Sequence, residues 1–412
     1  VTESSRQFDV VIAGAGPAGL ATALYLVKQR PGLGGRIAAI DKAEHPRFKV
    51  CAGGLIPKTM LALDELGIPL DVPAVEVIRG EAATPVGNVD LSRGGDMLAT
   101  VIRRDQFDAM LARAATDAGV EIVQRTRVLD VTQNADSARV STDATMFEAQ
   151  VIVGADGSGS RVRRAVFDAR KETIGRALMT DVAVDPERTP EFTSKRYRFD
   201  FRCVSRGISG YSWSFPCLIA GAPHLNVGIY DQRAREFEEN GGAQSRMIAE
   251  LIAAFPELPL DGLKRRETRW HSFPIRWFNP ADSYVSGRVI LAGDAAGVDP
   301  LMGEGISCAF EHGKLAAAAI CKYLDGDSAA LRGYNRALHQ DWIGRKMSKL
   351  AFAARNFYGP RHRFFFRIAN VSRRAQELGV DWYNGAGHLD ELPTHRLVAR
   401  WARAVLLGES LR

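Results

Sequence analysis

The sequence predicts an α/β fold in which a parallel-sheet domain is interlaced with an antiparallel-sheet domain and followed by a helical C-terminal region. Three observations predict it. An apolar, β-branched run over residues 8–13 leads into Gly14-Ala-Gly16-Pro-Ala18-Gly19 and then into a helical segment over 18–27. Two later apolar runs end the same way, in an acid and a glycine: Val151-Ile-Val-Gly-Ala-Asp156-Gly157 and Val289-Ile-Leu-Ala-Gly-Asp294. Between them, residues 180–275 are rich in aromatics and alternate as an antiparallel sheet does.

The elements follow in order. A second strand, Ile37-Ala-Ala-Ile40, ends on Asp41, with Lys42 beside it. Strand, glycine-rich turn, helix and an acid about 20 residues further on form a Rossmann-like dinucleotide fingerprint. Gly14 permits the tight turn, Gly16 lets the backbone approach a pyrophosphate, and Gly19 lets helix and strand lie close. The helix N-terminus offers free N–H groups to the phosphates, and Asp41 accepts from a ribose hydroxyl. Residues 81–104 read as strands, and 105–118 as a helix with Phe107, Leu111 and Ala114 on one face, stopped by Gly119. Residues 120–123 and 149–154 return to strand, and a helix runs from about Ile306 to Leu324. The predicted dinucleotide-binding domain is therefore discontinuous, comprising 1–80, 101–180 and 276–325. A second domain takes 81–100 and 181–275, and a helical region takes 326–412.

Ligands of open parallel sheets sit at the carboxyl ends of the strands. Asp156 and Asp294 stand there, although an acid at such a place can also simply cap a helix. Asp294 suits a ribityl or ribose hydroxyl. Gly303, Gly305 and Ile306 open the last core helix, whose N-terminal N–H groups suit the negative charge of a reduced isoalloxazine ring.

Bulk properties agree with a globular enzyme. The 412 residues are 46% hydrophobic and 25% charged. No apolar run reaches the length of a membrane span, and the N-terminal residues lack a signal-peptide pattern, which predicts a cytoplasmic protein. Five cysteines without Cys-x-x-Cys spacing argue against a disulfide framework, a metal site or an iron–sulfur cluster. The positive charge is C-terminal: residues 341–412 carry 13 Lys and Arg against 6 Asp and Glu. It is interleaved with Phe364-Phe365-Phe366, flanked by Arg361, Arg363 and Arg367, and with Trp401. No nucleic-acid motif accompanies it, so the expectation is peripheral contact with an anionic membrane surface, weighed against a solvated basic helix face.

The three strand-end motifs in this order resemble the p-hydroxybenzoate-hydroxylase-type flavoproteins over about residues 8–325. The resemblance implies FAD, with Arg104 near the cofactor and Val128 against the adenine. Two further segments are similar to the geranylgeranyl reductase family. One is Lys49-Val-Cys51-Ala52-Gly-Gly54, matching a Cys-x-Gly-Gly loop beside the flavin. The other is Tyr211-Ser-Trp213-Ser-Phe215-Pro216, followed by Asn226-Val-Gly228-Ile-Tyr230. The chain departs from the family where Tyr230 replaces the last glycine of Asn-x-Gly-x-Gly. On a strand, Tyr211, Trp213 and Phe215 point to one face and can wall an apolar cavity; such a stripe can equally be ordinary core.

The resemblance implies hydride transfer from reduced flavin to C=C bonds of a polyprenyl lipid, with NAD(P)H or another donor supplying the electrons. Cys51 and Tyr211 are the candidate proton donors, and Pro216, Asn226 and Gly228 are expected at the substrate with the three rings. Cys51 also reads as a small buried hydrophobe. Two other activities suit the same fold: a flavin-dependent hydroxylase or halogenase, and a quinone or electron-transfer flavoprotein without an iron–sulfur cluster. Halogenation is disfavoured, because no lysine lies between Lys58 and Lys171 where that family places one.

Overall fold

Val10, Val11, Ile12 and Ala13 are fully buried, as a strand covered on both faces requires. The computed structural model describes residues 5–167, 173–233, 243–258, 270–370 and 373–386, with isolated positions from 391 to 403. Trp401 lies outside the described residues.

Strand β1 (Arg6–Ala13) enters helix α1 (Pro17–Gln29) and then β2 (Ile37–Ile40). The chain continues through β3 (Gly54–Leu55), α2 (Pro57–Leu66), β4 (Ala74–Val77), β5 (Arg79–Thr84), β6 (Gly87–Asp90) and β7 (Ala99–Ile102). Helix α3 (Arg104–Asp117) precedes β8 (Glu121–Val123), β9 (Val128–Gln133), β10 (Ala138–Thr142), β11 (Met146–Gly154) and α4 (Arg161–Val166). Next come β12 (Ile174–Ala183), α5 (Pro190–Thr193), β13 (Arg196–Asp200), β14 (Gly210–Ile219), β15 (Ala222–Asp231), α6 (Ala243–Ala254) and β16 (His271–Arg276). Then β17 (Val285–Ser286) and β18 (Val289–Leu291) lead to α7 (Ile306–Leu324). The C-terminal helices are α8 (Ala330–Gln340), α9 (Trp342–Phe357), α10 (His362–Asn370) and α11 (Arg373–Tyr383).

Five parallel strands, in the order β18-β11-β1-β2-β8, form the heart of the first sheet. One edge of β11 serves two partners: residues 146–149 pair with β10, and 152–154 pair with β18. The second sheet runs β16-β12-β15-β14-β13-β5-β6. A small third sheet, β3-β7-β4, lies between them in sequence.

One expected boundary shifts. β12 pairs with β15 and β16, so it belongs to the second sheet, although residues 101–180 are expected in the nucleotide domain. The second sheet is antiparallel except where β5 and β13 run parallel. Strand composition reports burial and leaves the neighbour open.

Candidate functional site

The glycine-rich turn is built by close approach. Gly14 has φ +107°, and a Cβ there would lie 2.3 Å from the Ala155 carbonyl oxygen; one on Gly19 would lie 1.9 Å from the Gly14 carbonyl oxygen. Any larger residue would push α1 off β1. Asp41, at the end of β2, reaches across to this turn: its Oδ2 accepts from the Ala15 N–H at 3.1 Å, and its Oδ1 accepts from Ala43 N at 2.9 Å.

Cationic groups surround the N-terminus of α1. Arg47 Nη2 lies 3.4 Å from where a Gly16 Cβ would be and 3.3 Å from Asp108 Oδ2. Asp108 is fully buried and also holds Arg104, by bonds of 2.7 and 2.9 Å. Arg47 Nε also lies 3.5 Å from Asp41 Oδ2, so two guanidiniums and two carboxylates form one network beside the helix N–H groups, which themselves favour an anion. Arg47 was not recognisable from the sequence, because its partner is fixed only by folding.

At the far side of the turn, Asp156 Oδ2 accepts from Arg161 N and Val162 N at the start of α4, which is the capping use weighed above. Its Oδ1 is buried without a partner among the described residues. Asp294 Oδ2 accepts from Ser158 Oγ at 3.1 Å. The backbone beside it is held from α7, since Gly293 N donates to His312 Nδ1 at 3.0 Å. Burial pushes His312 down to about 4, so the ring is a neutral acceptor at pH 7.

One cavity of about 890 Å³ runs from the α1 N-terminus to the C-terminal helices. Every residue expected at the dinucleotide lines it except Gly19, which is sealed beneath the turn. Tyr211, Trp213 and Phe215 also line it, together with Cys51, whose Sγ accepts from Gly53 N at 3.3 Å.

Pro216, Asn226 and Gly228, expected at the substrate with the three rings, are not among the residues that line the cavity. Pro216 lies one strand position off the aromatic face. Asn226 is fully buried; its Oδ1 accepts from Trp213 Nε1 at 2.8 Å while its Nδ2 donates to Asp181 Oδ1 at 2.7 Å. Asp181 in turn binds Arg103 at 3.0 Å. Gly228 lies under the indole, where a Cβ would meet Trp213 Cζ2 at 2.2 Å. Asn226 and Gly228 therefore orient the wall.

Tyr211, expected as a proton donor, is held in place. Its hydroxyl donates to the Met302 carbonyl oxygen, which ties β14 to the loop ahead of α7, and burial pushes the phenol far above its ordinary range. The C-terminal helices tether the same loop. Tyr358 Oη donates to the Leu301 carbonyl oxygen, and Tyr383 Oη donates to Asp299 Oδ2 at 2.7 Å. Burial pushes the Asp299 carboxyl up to about 6.

The role of α9–α11 in closing the cavity was not visible in the sequence. Phe352, Phe357, Phe365, Phe366 and Trp382 line it. Helix α11 is clamped to the loop that follows β6 by Arg93, which donates to both Asp381 oxygens at 2.7 Å. Buried Lys346 donates to the Tyr383 carbonyl oxygen at 2.6 Å, satisfying the end of α11. The expected membrane-facing Phe run is corrected as well: Phe366 is buried, Phe365 faces the cavity, and only Phe364 is exposed. Among the described residues, no helix is long and apolar enough to cross a membrane.

Lys49 was quoted in the sequence motif but given no task. It lines the cavity, with its ammonium 2.9 Å from the Phe273 ring centroid, and burial pushes it down to about 8.

A family model described as FAD binding domain matches residues 7–340. The chain belongs to this FAD-binding family. It is an FAD-dependent oxidoreductase of the family's mixed α/β fold, similar to proteins named geranylgeranyl reductases. A digeranylgeranylglycerophospholipid reductase of Methanothrix thermoacetophila is 26% identical, over 83% of this chain and 85% of its own. A menaquinone reductase of Mycolicibacterium smegmatis is 29% identical, over 75% of each. A solved structure of a geranylgeranyl bacteriochlorophyll reductase-like protein from Thermoplasma acidophilum superposes with a TM-score of 0.73 at 21% identity. It covers 92% of this chain and 96% of that one. That likeness shows the fold.

The residues fit FAD. Arg47 Nε, 3.5 Å from Asp41 Oδ2, is buried without a hydrogen bond beside the α1 N-terminus and so keeps a donor for a phosphate, and Asp156 Oδ1 is an unpaired acceptor at a strand end. Asp41 and Asp294 supply further acceptors on the same cavity.

Proposed function

We propose that the protein reduces C=C bonds in the isoprenoid chain of a polyprenyl lipid. The observation that carries this reading is the aromatic wall. Tyr211, Trp213 and Phe215 project from β14 into the same cavity as the FAD-binding residues, and α9–α11 close it on the other side. A long apolar chain lying there is shielded from water and held against the cofactor end. Relatives named for digeranylgeranylglycerophospholipid and geranylgeranyl diphosphate support the substrate class.

FAD, when bound and reduced, supplies hydride. The chain's own residues do the rest. Arg47, Arg104 and the α1 N-terminus hold the phosphates. The Trp213–Asn226–Asp181 relay fixes the wall that orients the double bond. Cys51 on the cavity donates the proton to the second carbon. The π bond is replaced by two C–H bonds, and the thiolate is reprotonated from solvent. Arg361, just before α10, and Arg363, Phe364 and Arg367 on it are exposed, and we assign them to contact with the anionic surface of the bilayer that holds such a substrate.

The test is anaerobic reoxidation of the dithionite-reduced holoprotein by a geranylgeranyl lipid, with mass spectrometry of the product. Gain of two hydrogens per bond supports the reading. A product that has gained oxygen under air marks a hydroxylase. A quinone reduced only in its ring marks an electron-transfer protein. Either result overturns the reading.

A further inference from the structure

Tyr230 stands on β15 at the position where the sequence departs from its family pattern. It is 1% exposed, lines the cavity, and has its ring 6.1 Å from that of Tyr211. Its hydroxyl is buried without a hydrogen-bond partner among the described residues. Three other phenols on or beside the cavity are engaged: Tyr211 with Met302, Tyr358 with Leu301 and Tyr383 with Asp299. Phenylalanine would supply the same ring without stranding a hydroxyl, so packing alone does not account for tyrosine here.

A second donor lines the same cavity. Trp382 on α11 has its Nε1–H buried and without a partner among the described residues. An indole N–H can only donate. The unpaired acceptor Asp156 Oδ1 stands at the cofactor end, whereas Tyr230 and Trp382 stand at the aromatic wall and the C-terminal helices, where they are complementary to a ligand atom that accepts.

We propose that Tyr230 is a specificity-determining residue, whose hydroxyl donates to an acceptor oxygen on the isoprenoid substrate, of the carbonyl or ether type. This rests on the isoprenoid reading above and adds that the substrate is not a bare hydrocarbon at this place. A site built to hydrogen-bond an oxygen rejects an analogue that lacks it, because the buried donor then stays unpaired.

The experiment compares FAD-loaded wild type with Tyr230→Phe, by tryptophan-fluorescence titration in detergent. Three probes are used: menaquinone-4 for carbonyl oxygen, digeranylgeranylglycerol diether for ether oxygen, and squalene for none. The expected result is a loss of affinity of about three- to tenfold for one oxygenated probe and none for squalene. The probe that loses affinity identifies the type of oxygen. Without any probe, Tyr230→Phe should melt higher than wild type, because an unpaired buried hydroxyl has been removed. Equal affinity for both oxygenated probes in the two proteins, or an equal loss for squalene, overturns the assignment. So does a lower melting temperature of the unliganded variant, which would show the hydroxyl already satisfied. If the affinity pattern holds while no double bond is reduced, the activity reading fails and the Tyr230 assignment stands. If wild type binds none of the three, the isoprenoid reading falls and takes this assignment with it.

Discussion

Gly228→Ala tests the architecture of the cavity wall. The added methyl would sit 2.2 Å from Trp213 Cζ2, 2.5 Å from Cη2 and 2.6 Å from the Leu178 carbonyl oxygen. Ordinary contact requires more than 3.4 Å, so the indole must retreat by over an ångström. Retreat breaks the 2.8 Å bond from Trp213 Nε1 to Asn226, worth about 0.5–1.5 kcal/mol. Overpacking of a filled core adds about 1–3 kcal/mol. The sum is a destabilisation of about 1.5–4.5 kcal/mol. Urea unfolding followed by tryptophan emission measures it, with FAD content as a second readout. In a Trp213→Phe background the smaller ring relieves the contact with the side chain, whereas the Leu178 carbonyl remains. The cost should therefore shrink without vanishing. A cost below about 0.5 kcal/mol, or one unchanged in the Trp213→Phe background, would refute the placement of the indole over Gly228.

Asp294→Ala removes a charged acceptor from the cofactor end and should weaken FAD binding about 10- to 100-fold, read from quenching of flavin fluorescence; unchanged affinity would remove Asp294 from the site. His312→Asn keeps an acceptor for Gly293 N and removes the titration. Burial lowers the folded His312 from 6.5 to about 4, so its contribution is intact above pH 6.5 and is lost as pH falls towards 4. Wild type should therefore lose up to about 3 kcal/mol relative to the variant between pH 7 and 4, and a pH-independent difference in denaturation midpoint would contradict this. Tyr383→Phe deprives Asp299 of a donor and should cost about 1–3 kcal/mol. With Asp299 pushed up to about 6, that cost should be larger at pH 8 than at pH 5, where the carboxyl is protonated and the bond is no longer charge-assisted. Co-sedimentation with anionic vesicles should weaken with salt and be lost when Arg361, Arg363 and Arg367 are changed together to Gln; equal binding to neutral vesicles would exclude the α10 face.

The nucleotide half of the site was legible because its signals are local. β2 (Ile37–Ile40) and α7 (Ile306–Leu324) match their expected bounds, and a glycine demanded by backbone contact at Gly14 or Gly19 announces itself within a few residues. Alternation over Tyr211, Trp213 and Phe215 likewise fixes one strand face. What stayed hidden depends on partners distant in sequence. Arg47 gains its meaning from Asp108, 61 residues away, and Arg93 from Asp381. Helical periodicity in α9–α11 reveals a buried face without saying that a cavity lies beneath it. Phe364, Phe365 and Phe366 were read together as outward, yet three consecutive helical residues span about 200° and cannot share one face.

Strand β18 and helix α7 have a consequence for biosynthesis. The sheet that begins at Arg6 is completed by residues 289–291, and α1 gains its α7 neighbour only when residues 306–324 have been made. Asp294 and the Asp299–Gly305 loop come from the same late stretch. A nascent chain therefore presents the glycine-rich turn long before it can grip a cofactor. A complete cofactor site must await synthesis of residues 289–306, and during that interval the apolar edge of β11 at Ile152–Gly154 is open to wrong partners. The supply of FAD in the cell thus bears on the yield of folded protein as well as on its turnover.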